Sequence, residues 1–428
     1  MEWGEILAQV AGDMVEQSPV LEGGDHFGFR GFERRLMMAS MDFELTEEQR
    51  AFRDSVAGFA ARHLAEDALA RAREPGYPWD IARLMAGQGL FGIAMPEADG
   101  GQGGTLMDAV LAIETVAGVC PRSADVVQAG NFAAIRTFAE YASPAQKARY
   151  LPGLLAGEGL IAVAMSEPEA GSAATELKTA ATPDGDGYRV TGTKVFTTHG
   201  ADASLFLVYV RFGPGVGGIG SVLVERDAPG FSLGQPTRYM SGEVWRQLYF
   251  EDVAVGPENV LLGPGGFKKQ ISAFNVERIG NAARALAVGR LAFTIAREHA
   301  LERRQFGRPL AEFQGLQWKF ADMALKLEAA QLLLYRAATN ADRGLPSGQE
   351  TALAKVACNE AGFFAANEAM QVMGGTGFSE ATLVDYCMRR TRGWMIAGGP
   401  VEVLKTRIAE GVFDRRFPQR KRRPDADG

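Results

Sequence analysis

The spacing of apolar residues predicts helices in the first and last thirds of the chain. From residue 47 to about residue 160, apolar side chains recur at helical intervals, and Thr46 with Gln49 forms a capping box that predicts a helix beginning near Glu47. After residue 266 the spacing returns, with helices predicted over about 278 to 302 and 349 to 373. The clearest stripe, about five turns long, comprises Leu316, Phe320, Met323, Leu327, Ala330 and Leu334.

Between these parts the pattern changes to short runs. The sequence PDGDG at 183 to 187 predicts a turn, and the runs after it are rich in Val, Phe, Tyr and Leu and are separated by Gly and Pro. This pattern predicts a compact β-domain. Helices, then a sheet, then helices indicate an α+β protein.

The chain length of 428 residues and its 46% hydrophobic content favour more than one domain. The predicted divisions are a flexible N-terminal extension at 1 to 40, which is an appended segment or an upstream start, and a helical domain at 41 to 160. A middle β-domain follows at 161 to 267, then a helical domain at 268 to 414 and a basic flexible tail at 415 to 428.

Composition narrows the class of protein. The net charge of -7 does not favour nucleic acid as the main partner. Three widely spaced cysteines favour a reducing compartment, so the expected location is the cytoplasm, and the four histidines form no ligand pair that would predict a metal site. No apolar run approaches the ~18 to 20 residues of a membrane span, so no membrane association is expected.

One glycine motif is interpreted as structural. GQGLFG at 87 to 92 fits the dinucleotide pattern G-x-G-x-x-G, but it follows a helical stretch, whereas a dinucleotide loop leaves a strand. We therefore interpret it as a helix end with glycine caps.

Four blocks carry a more specific signal: AMSEPEAGSAATELKT (164–179), TKVFTTHGADA (193–203), the segment 275–317 that begins NVERIG, and the segment 371–400 that begins QVMGGTGF. Taken alone, the first block is equally typical of a linker entering the sheet. Together, the blocks resemble the acyl-CoA dehydrogenase family, flavoenzymes that desaturate acyl-CoA thioesters. The likeness extends from residue 41 to about residue 413. It implies a helical domain, a middle β-barrel and a C-terminal four-helix bundle.

The resemblance also implies FAD as the cofactor, electron-transferring flavoprotein as the electron acceptor, and a homotetramer built as a dimer of dimers. The implied role is fatty acid or carboxylic acid catabolism. Met165 and Ser166 match residues at the pyrimidine edge of FAD, Phe196 matches a residue against the flavin ring, and Thr198 matches one near flavin N5. Further implied cofactor-binding residues, several of them reaching the FAD of a neighbouring protomer, are Ser172, Arg303, Gln305, Phe306, Gln314, Gln371, Gly374, Gly375, Pro400 and Glu402; Glu402 alternatively faces solvent.

The catalytic base is the main departure from the family pattern. Gly398 stands where many members carry the glutamate that removes the α-proton. A minority carry the base on the first long helix of the C-terminal domain, and Glu277 matches that position. The alternative is that Glu277 is a structural acid in the first turn of a helix. Residues implied to contact substrate are Ser172, Asn275, Arg278, Gly398 and Gly399.

Two further departures concern charge and hydrogen bonding. Arg390 replaces a common aspartate, which puts the usual salt bridge in doubt, and His199 replaces a common asparagine. The preferred function is FAD-dependent α,β-dehydrogenation of an acyl-CoA, with the acyl group undetermined.

Two alternatives to that function remain. An acyl-CoA oxidase or flavin monooxygenase-like relative would be separated by oxygen consumption. A DNA-associated relative, suggested by the tail RRFPQRKRR at 415 to 423, would require binding that persists toward ~200 mM salt.

Overall fold

The structure is a computed structural model that describes residues 44–132, 134–341 and 344–418. Met1–Thr46 is a unit separate from Glu47–Gly428, and of the former only residues 44 to 46 are described, without regular secondary structure. The predicted extension at 1 to 40 and residues 419 to 428 of the predicted tail therefore lie outside the described residues. All elements below belong to the unit that starts at Glu47.

Helices occupy the first part of this unit. α1 begins at Glu47, which confirms the predicted helix start, and α3 ends at Gly87, with Gly89 following at a φ of +71°, as a helix end requires. Capping boxes open α4 at Thr105 and α7 at Ser143. The helices are α1 Glu47–His63, α2 Ala68–Arg71, α3 Trp79–Gly87, α4 Leu106–Ala117, α5 Ala124–Asn131, α6 Ala134–Tyr141 and α7 Pro144–Leu155.

An eight-stranded sheet follows in the order β10-β5-β4-β2-β3-β9-β6, with β1 paired in parallel to β4. This order has two edge strands, β10 and β6, so the predicted barrel is not closed among the described strands. The strands are β1 Ile161–Ala164, β2 Ala180–Asp184, β3 Gly187–Lys194, β4 Leu205–Arg211, β5 Ile219–Glu225, β6 Phe231–Leu233, β9 Leu248–Val255 and β10 Val260–Leu262, with a separate hairpin of β7 Thr237–Arg238 and β8 Val244–Trp245.

The sheet packs against the helices before it. Leu205, Leu207 and Tyr209 of β4 are buried in one apolar cluster with Phe138 of α6 and Leu151 of α7. Because β4 is buried along nearly its whole length, its sequence is a continuous apolar run rather than an alternation. The packing fixes the segment after β1, where the predicted cofactor residues begin.

Long helices return after the sheet. Met323, Leu327, Ala330 and Leu334 of the predicted stripe are buried, as expected for one face of α9. The elements are α8 Phe267–Glu302, β11 Arg304–Gln305, β12 Arg308–Pro309, α9 Gln314–Thr339, α10 Gly348–Met373, α11 Gly375–Phe378, α12 Val384–Trp394 and α13 Val401–Val412. Among the described residues, no helix is long and apolar enough to cross a membrane.

Helices α8 and α10 approach each other closely because glycines meet at their crossing. A Cβ on Gly289 of α8 would lie 2.5 Å from the Cα of Gly362 of α10, a separation that side chains do not allow. The two helices carry the side chains of the candidate site, Glu277 and Arg278 on α8 and Lys355 on α10.

Candidate active site

Glu277 lies well inside α8, about three turns after the first residue of that helix. The structure therefore contradicts the alternative that Glu277 is a first-turn acid. Its side chain is only 18% exposed. Because burial disfavours the charged form, the pKa of Glu277 is raised above its ordinary value, with Arg284 and Gln128 acting in the opposite direction. A carboxylate of raised pKa is a stronger base than an exposed glutamate.

Gln128 of α5 is the nearest partner of this carboxylate. Its Nε2 donates a hydrogen bond to Glu277 Oε2, while Arg284 Nη2 lies 3.8 Å from Oε1. The contact depends on Gly280, where a Cβ would lie 2.1 Å from Gln128 Oε1. The sequence did not identify Gln128, because only the crossing of α5 and α8 brings it to Glu277.

Behind Glu277 lies a buried set of charges that we call the arginine cluster: Arg122, Asp125, Glu243, Arg284 and Arg390. Asp125 accepts hydrogen bonds from Arg122 at 3.0 Å, from Arg284 at 2.6 Å and from Arg390 at 2.8 Å. Burial alone would raise the pKa of Asp125, but the three guanidinium groups hold it well below its ordinary value. The cluster therefore keeps a carboxylate ionised in the interior.

Arg390 is paired, although the sequence left its salt bridge in doubt. Its guanidinium lies 2.8 Å from Asp125 and 3.0 Å from Glu243. The neighbouring Arg389 pairs instead with Asp385 at 2.7 Å. An arginine at 390 is therefore balanced by two acids from elsewhere in the chain. His199, the other departure, stays uncharged near this cluster because burial lowers its pKa to about 3.

The hinge between α12 and α13 has its carbonyl groups occupied. Arg278 Nε donates to the carbonyl of Gly398 at 3.0 Å, and Lys355 Nζ donates to that of Gly399 at 3.1 Å. Both glycines have positive φ, +71° and +100°. Their own N–H groups donate no hydrogen bond to any described residue. The hinge therefore presents two backbone donors beside α8.

Asn275, a predicted substrate contact, is 8% exposed and acts on Arg278. Its Oδ1 accepts from Arg278 Nη1 at 2.9 Å, and its Nδ2 donates to the carbonyl of Pro346 at 3.4 Å. This pair of bonds orients Arg278 toward the hinge. Pro400 is the N-cap residue of α13, and Glu402, in the first turn of that helix, is exposed.

The predicted flavin residues occupy two adjacent segments. Met165 and Ser166 follow β1, and the carbonyl of Ser166 accepts from the N–H of Val195 at 2.9 Å. Buried Lys194 ties the segments together, donating to Glu167 at 2.8 Å and to the carbonyl of Met165 at 3.1 Å. The sequence missed Lys194, which is one residue before the predicted segment VFTT but gives no local signal of its partner.

Three features of these segments fit a flat cofactor with carbonyl groups at one edge. The N–H groups of Met165 and Ser166 donate to no described residue. Phe196 is 58% exposed and has a φ of +55°, and its ring packs on Trp245 with centroids 4.6 Å apart. Thr198 and Ser172 are exposed. An aromatic face beside free backbone donors suits the flavin ring system.

The remaining predicted cofactor residues are exposed and lie at or near the end of α8, the start of α9 and the end of α10. Phe306 is 95% exposed. Among the described residues, no hydrogen bond, ion pair or ring contact joins this set to Glu277 or to Phe196. This second set of exposed residues comprises Arg303, Gln305, Phe306, Gln314, Gln371, Gly374 and Gly375.

Comparison with known proteins gives the family of this fold. Three family models match in order: acyl-CoA dehydrogenase N-terminal domain at residues 46–158, middle domain at 162–253 and C-terminal domain at 264–413. The chain therefore belongs to the acyl-CoA dehydrogenase family. It is an oxidoreductase, and its cofactor is FAD.

The similarity extends over almost the full length of individual relatives. The chain is 34% identical to a 3-sulfinopropanoyl-CoA desulfinase of Paraburkholderia xenovorans, over 89% of this chain and 99% of the relative. Butyryl-CoA dehydrogenase of Megasphaera elsdenii has a similar structure, with a TM-score of 0.82, 31% identity and coverage of 87% and 100%. A structure described as an electron transferring flavoprotein of Acidaminococcus fermentans also matches, with a TM-score of 0.82, 31% identity and coverage of 87% and 99%.

Proposed function

We propose that the protein catalyses the α,β-dehydrogenation of an acyl-CoA thioester, with Glu277 as the base. The observation that carries the proposal is the buried Glu277 carboxylate of raised pKa, which directly precedes Arg278, the residue bonded to a glycine hinge with free N–H groups. Glu277 takes the proton from Cα, a hydride leaves Cβ, and the Cα–Cβ double bond forms. Bound FAD supplies the acceptor for that hydride.

The hinge assists the removal of the proton. A thioester carbonyl that accepts hydrogen bonds from the N–H groups of Gly398 and Gly399 has its developing enolate charge stabilised where it forms. Arg278 fixes the carbonyl of Gly398 and so keeps the N–H groups oriented. Gly398 thus has a binding role in place of the acid–base role of the residue that many relatives carry there.

The cofactor and the partners belong to the same proposal. Met165, Ser166, Phe196 and Thr198 hold the flavin ring, and Ser172 lies toward the pyrophosphate and CoA. The exposed set around Phe306 contacts the FAD of a neighbouring copy in a homotetramer. The proposed electron acceptor is an electron-transferring flavoprotein, which is supported by the similar structure described under that name.

The test is an anaerobic titration of the yellow holoenzyme with a panel of acyl-CoAs, recording loss of flavin absorbance. Glu277→Gln should slow bleaching by the best substrate by at least ~100-fold, because loss of a general base costs that much. Glu328→Gln, an exposed glutamate on α9, is the matched control. Bleaching that survives Glu277→Gln within ~100-fold would refute the assignment of the base.

A second experiment moves the base from position 277 to position 398. A Cβ on Gly398 would meet no atom closer than Lys355 Cε at 3.4 Å, so a side chain has room to start there, although the φ of +71° strains it. Adding Gly398→Glu to Glu277→Gln should restore at least ~10-fold of the lost rate. No recovery in a folded, FAD-loaded double variant would show that the hinge does not face Cα.

One observation favours a second candidate function. The arginine cluster has three guanidinium groups for the two carboxylates within it, and one of them, Arg284, lies 3.8 Å from Glu277, where it can attract an anionic acyl group. Since the relative from Paraburkholderia acts on 3-sulfinopropanoyl-CoA, this protein would remove sulfinate from a 3-sulfinoacyl-CoA. The bond between C3 and the sulfino sulfur breaks, and the thioester stays intact. Water supplies a proton to C3 and hydroxyl to the sulfur, giving acyl-CoA and sulfite. Sulfite release without flavin bleaching would favour this candidate.

A further inference from the structure

Lys355 of α10 carries a buried amino group that none of the assignments above uses, and burial lowers the pKa of this group to about 7. Its side chain has no exposed surface, and Nζ donates to the carbonyls of Trp394 at 3.2 Å and Gly399 at 3.1 Å. No carboxylate oxygen of the described residues lies within 4.0 Å of Nζ. Among the described residues, the two carbonyls are therefore the hydrogen-bond partners of this amino group, and they hold it in place without a carboxylate.

The two carbonyls bracket the hinge. Trp394 is the last residue of α12, and Gly399 is the second hinge glycine, so a single ammonium spans the segment that carries Gly398. Asn359, one turn further along α10, also donates to the carbonyl of Trp394, at 2.5 Å. Arg278 donates a hydrogen bond to the carbonyl of Gly398. With these carbonyls held from α8 and α10, the peptide planes of the hinge have fixed orientations.

Lys355 also faces the proposed base. The charged groups around Glu277 are Arg284 and Arg278 on its own helix, Asp125 on α5 and Lys355 on α10, with the neutral Gln128 bonded directly to it. Of these, Arg278 and Lys355 are the cations that also contact the hinge, and Lys355 is the one that reaches it from a different helix than Glu277. Its charge favours the ionised form of Glu277, while Asp125 opposes it.

We propose that Lys355 is a positioning residue that holds the Gly398–Gly399 hinge so that its N–H groups meet the thioester carbonyl, and that in its protonated form it favours ionisation of Glu277. This inference rests on the proposed function, since it needs the thioester at the hinge and the base at Glu277. Helix α10 thereby contributes a positioning residue to the site, which no motif in its sequence predicts.

The first measurement is a binding difference that does not require turnover. 2,2-Dimethylpropanoyl-CoA has no α-hydrogen and cannot be dehydrogenated, and its thioether counterpart, S-neopentyl-CoA, lacks only the carbonyl oxygen. The holoenzyme should prefer the thioester by about 10-fold, as expected for two hydrogen bonds. Lys355→Met should reduce that preference to less than about 3-fold.

Lys405→Met is the matched control. Lys405 lies on α13 just after the hinge, is largely exposed and pairs with Glu360 of α10 rather than with hinge carbonyls. This variant should keep the wild-type preference for the thioester. Lys355→Gln retains a hydrogen-bond donor without charge, so it should keep part of the preference. If Lys355→Met fails to fold, Lys355→Gln is compared with the wild type instead.

The second measurement is the pH profile of kcat/KM. Both Lys355→Met and Lys355→Gln remove a cation near Glu277, so the acidic limb should move to higher pH by about one unit, while Lys405→Met leaves it in place. Wild-type preference together with an unshifted limb in Lys355→Met would overturn the inference. A wild-type enzyme without the thioester preference would instead refute the hinge as the carbonyl site, and the inference would fall with it.

Discussion

At the scale of single residues, Gln128 shows how a neutral side chain stabilises a buried base. Its amide donates to the Glu277 carboxylate, and Gly280 makes the approach possible. Hydrogen bonds to ionised groups contribute about 1.5 to 3 kcal/mol. We therefore predict that Gln128→Leu lowers kcat/KM on the acidic side of its pH profile by about 10-fold. The pH dependence of kcat/KM measures this.

The shape of that profile distinguishes loss of the hydrogen bond from loss of packing. Gln128→Leu should show a smaller loss on the alkaline side, where Glu277 is ionised without help. Gln331→Leu, a glutamine on α9 that contacts Tyr335 and Arg290, should leave the profile unchanged. A uniform decrease at all pH values would show that Gln128 only fills space.

Glu114 on α4 predicts a pH dependence of stability rather than of activity. Burial raises its pKa to about 7, although Tyr335 donates a hydrogen bond to it at 2.7 Å. Because the pKa is higher in the folded state, the contribution to stability is complete below pH ~4.5 and is lost as pH rises through about 7. The full change is about 3 kcal/mol.

We therefore predict that Glu114→Gln flattens the decline in thermal stability between pH 5 and pH 8, with melting temperatures measured on the holoenzyme. Glu328→Gln, which changes an exposed glutamate of α9, is the control and should follow the wild type. A wild-type decline that persists undiminished in Glu114→Gln would show that other groups produce it.

The sequence identified some of these residues and necessarily missed others. Glu277, Gly398 and Arg278 stand inside recognisable motifs, so their positions could be predicted. Gln128 and Lys355 act on Glu277 from α5 and α10, far away in the chain, and neither spacing nor residue type reveals such a neighbour. The arginine cluster was missed for the same reason, because Asp125 gains its partners only when three helices meet.

At the scale of elements, α8 explains why one alternative failed. The sequence predicted a helix from about residue 278, whereas the helix begins at Phe267. Phe267, Ile271 and Phe274 already stand at helical spacing before residue 278, so the predicted start was too late. The earlier start moves Glu277 from a helix end to a helix interior, where burial raises its pKa.

Helix α12 tests the arginine cluster. Arg390 balances Asp125 and Glu243, and removing one partner of a buried ion pair costs about 3 to 5 kcal/mol because charge is left uncompensated. We predict that Arg390→Met lowers the melting temperature by roughly 5 to 15 °C. Arg392→Met, an exposed arginine on the same helix, should change it by less than about 2 °C. Equal effects of the two variants would show that the cluster is not a source of stability.

At the scale of the whole molecule, the order of helices, sheet and helices was predictable because the spacing of apolar residues changes locally, at the boundary of each part. The path of the sheet was not. Strand β10 pairs with β5 and β9 pairs with β3, and such long-range pairing leaves no trace in the spacing of apolar residues. The predicted barrel was inherited from the family resemblance, and the described strands form an open order with two edges instead.

The exposed face of α9 carries the final prediction. Trp318, Leu325 and Leu332 recur every seven residues and are 62%, 71% and 51% exposed. A repeat of this kind on an uncovered helix is typical of a surface that packs against another helix. We predict that it lies in the proposed homotetramer, so that Trp318→Glu combined with Leu325→Glu yields a smaller assembly by light scattering.

The same double variant tests whether the assembly completes the cofactor site. If Arg303, Gln305 and Gln371 contact the FAD of a neighbouring copy, separation of the protomers must weaken FAD binding as well, and the ratio of flavin to protein absorbance should fall by at least ~2-fold. Val216→Glu, which places the same charge at an exposed apolar residue of the middle domain, should change neither quantity. A smaller assembly with undiminished flavin content would show that each protomer holds its FAD alone, and the exposed residues around Phe306 would then need a different ligand.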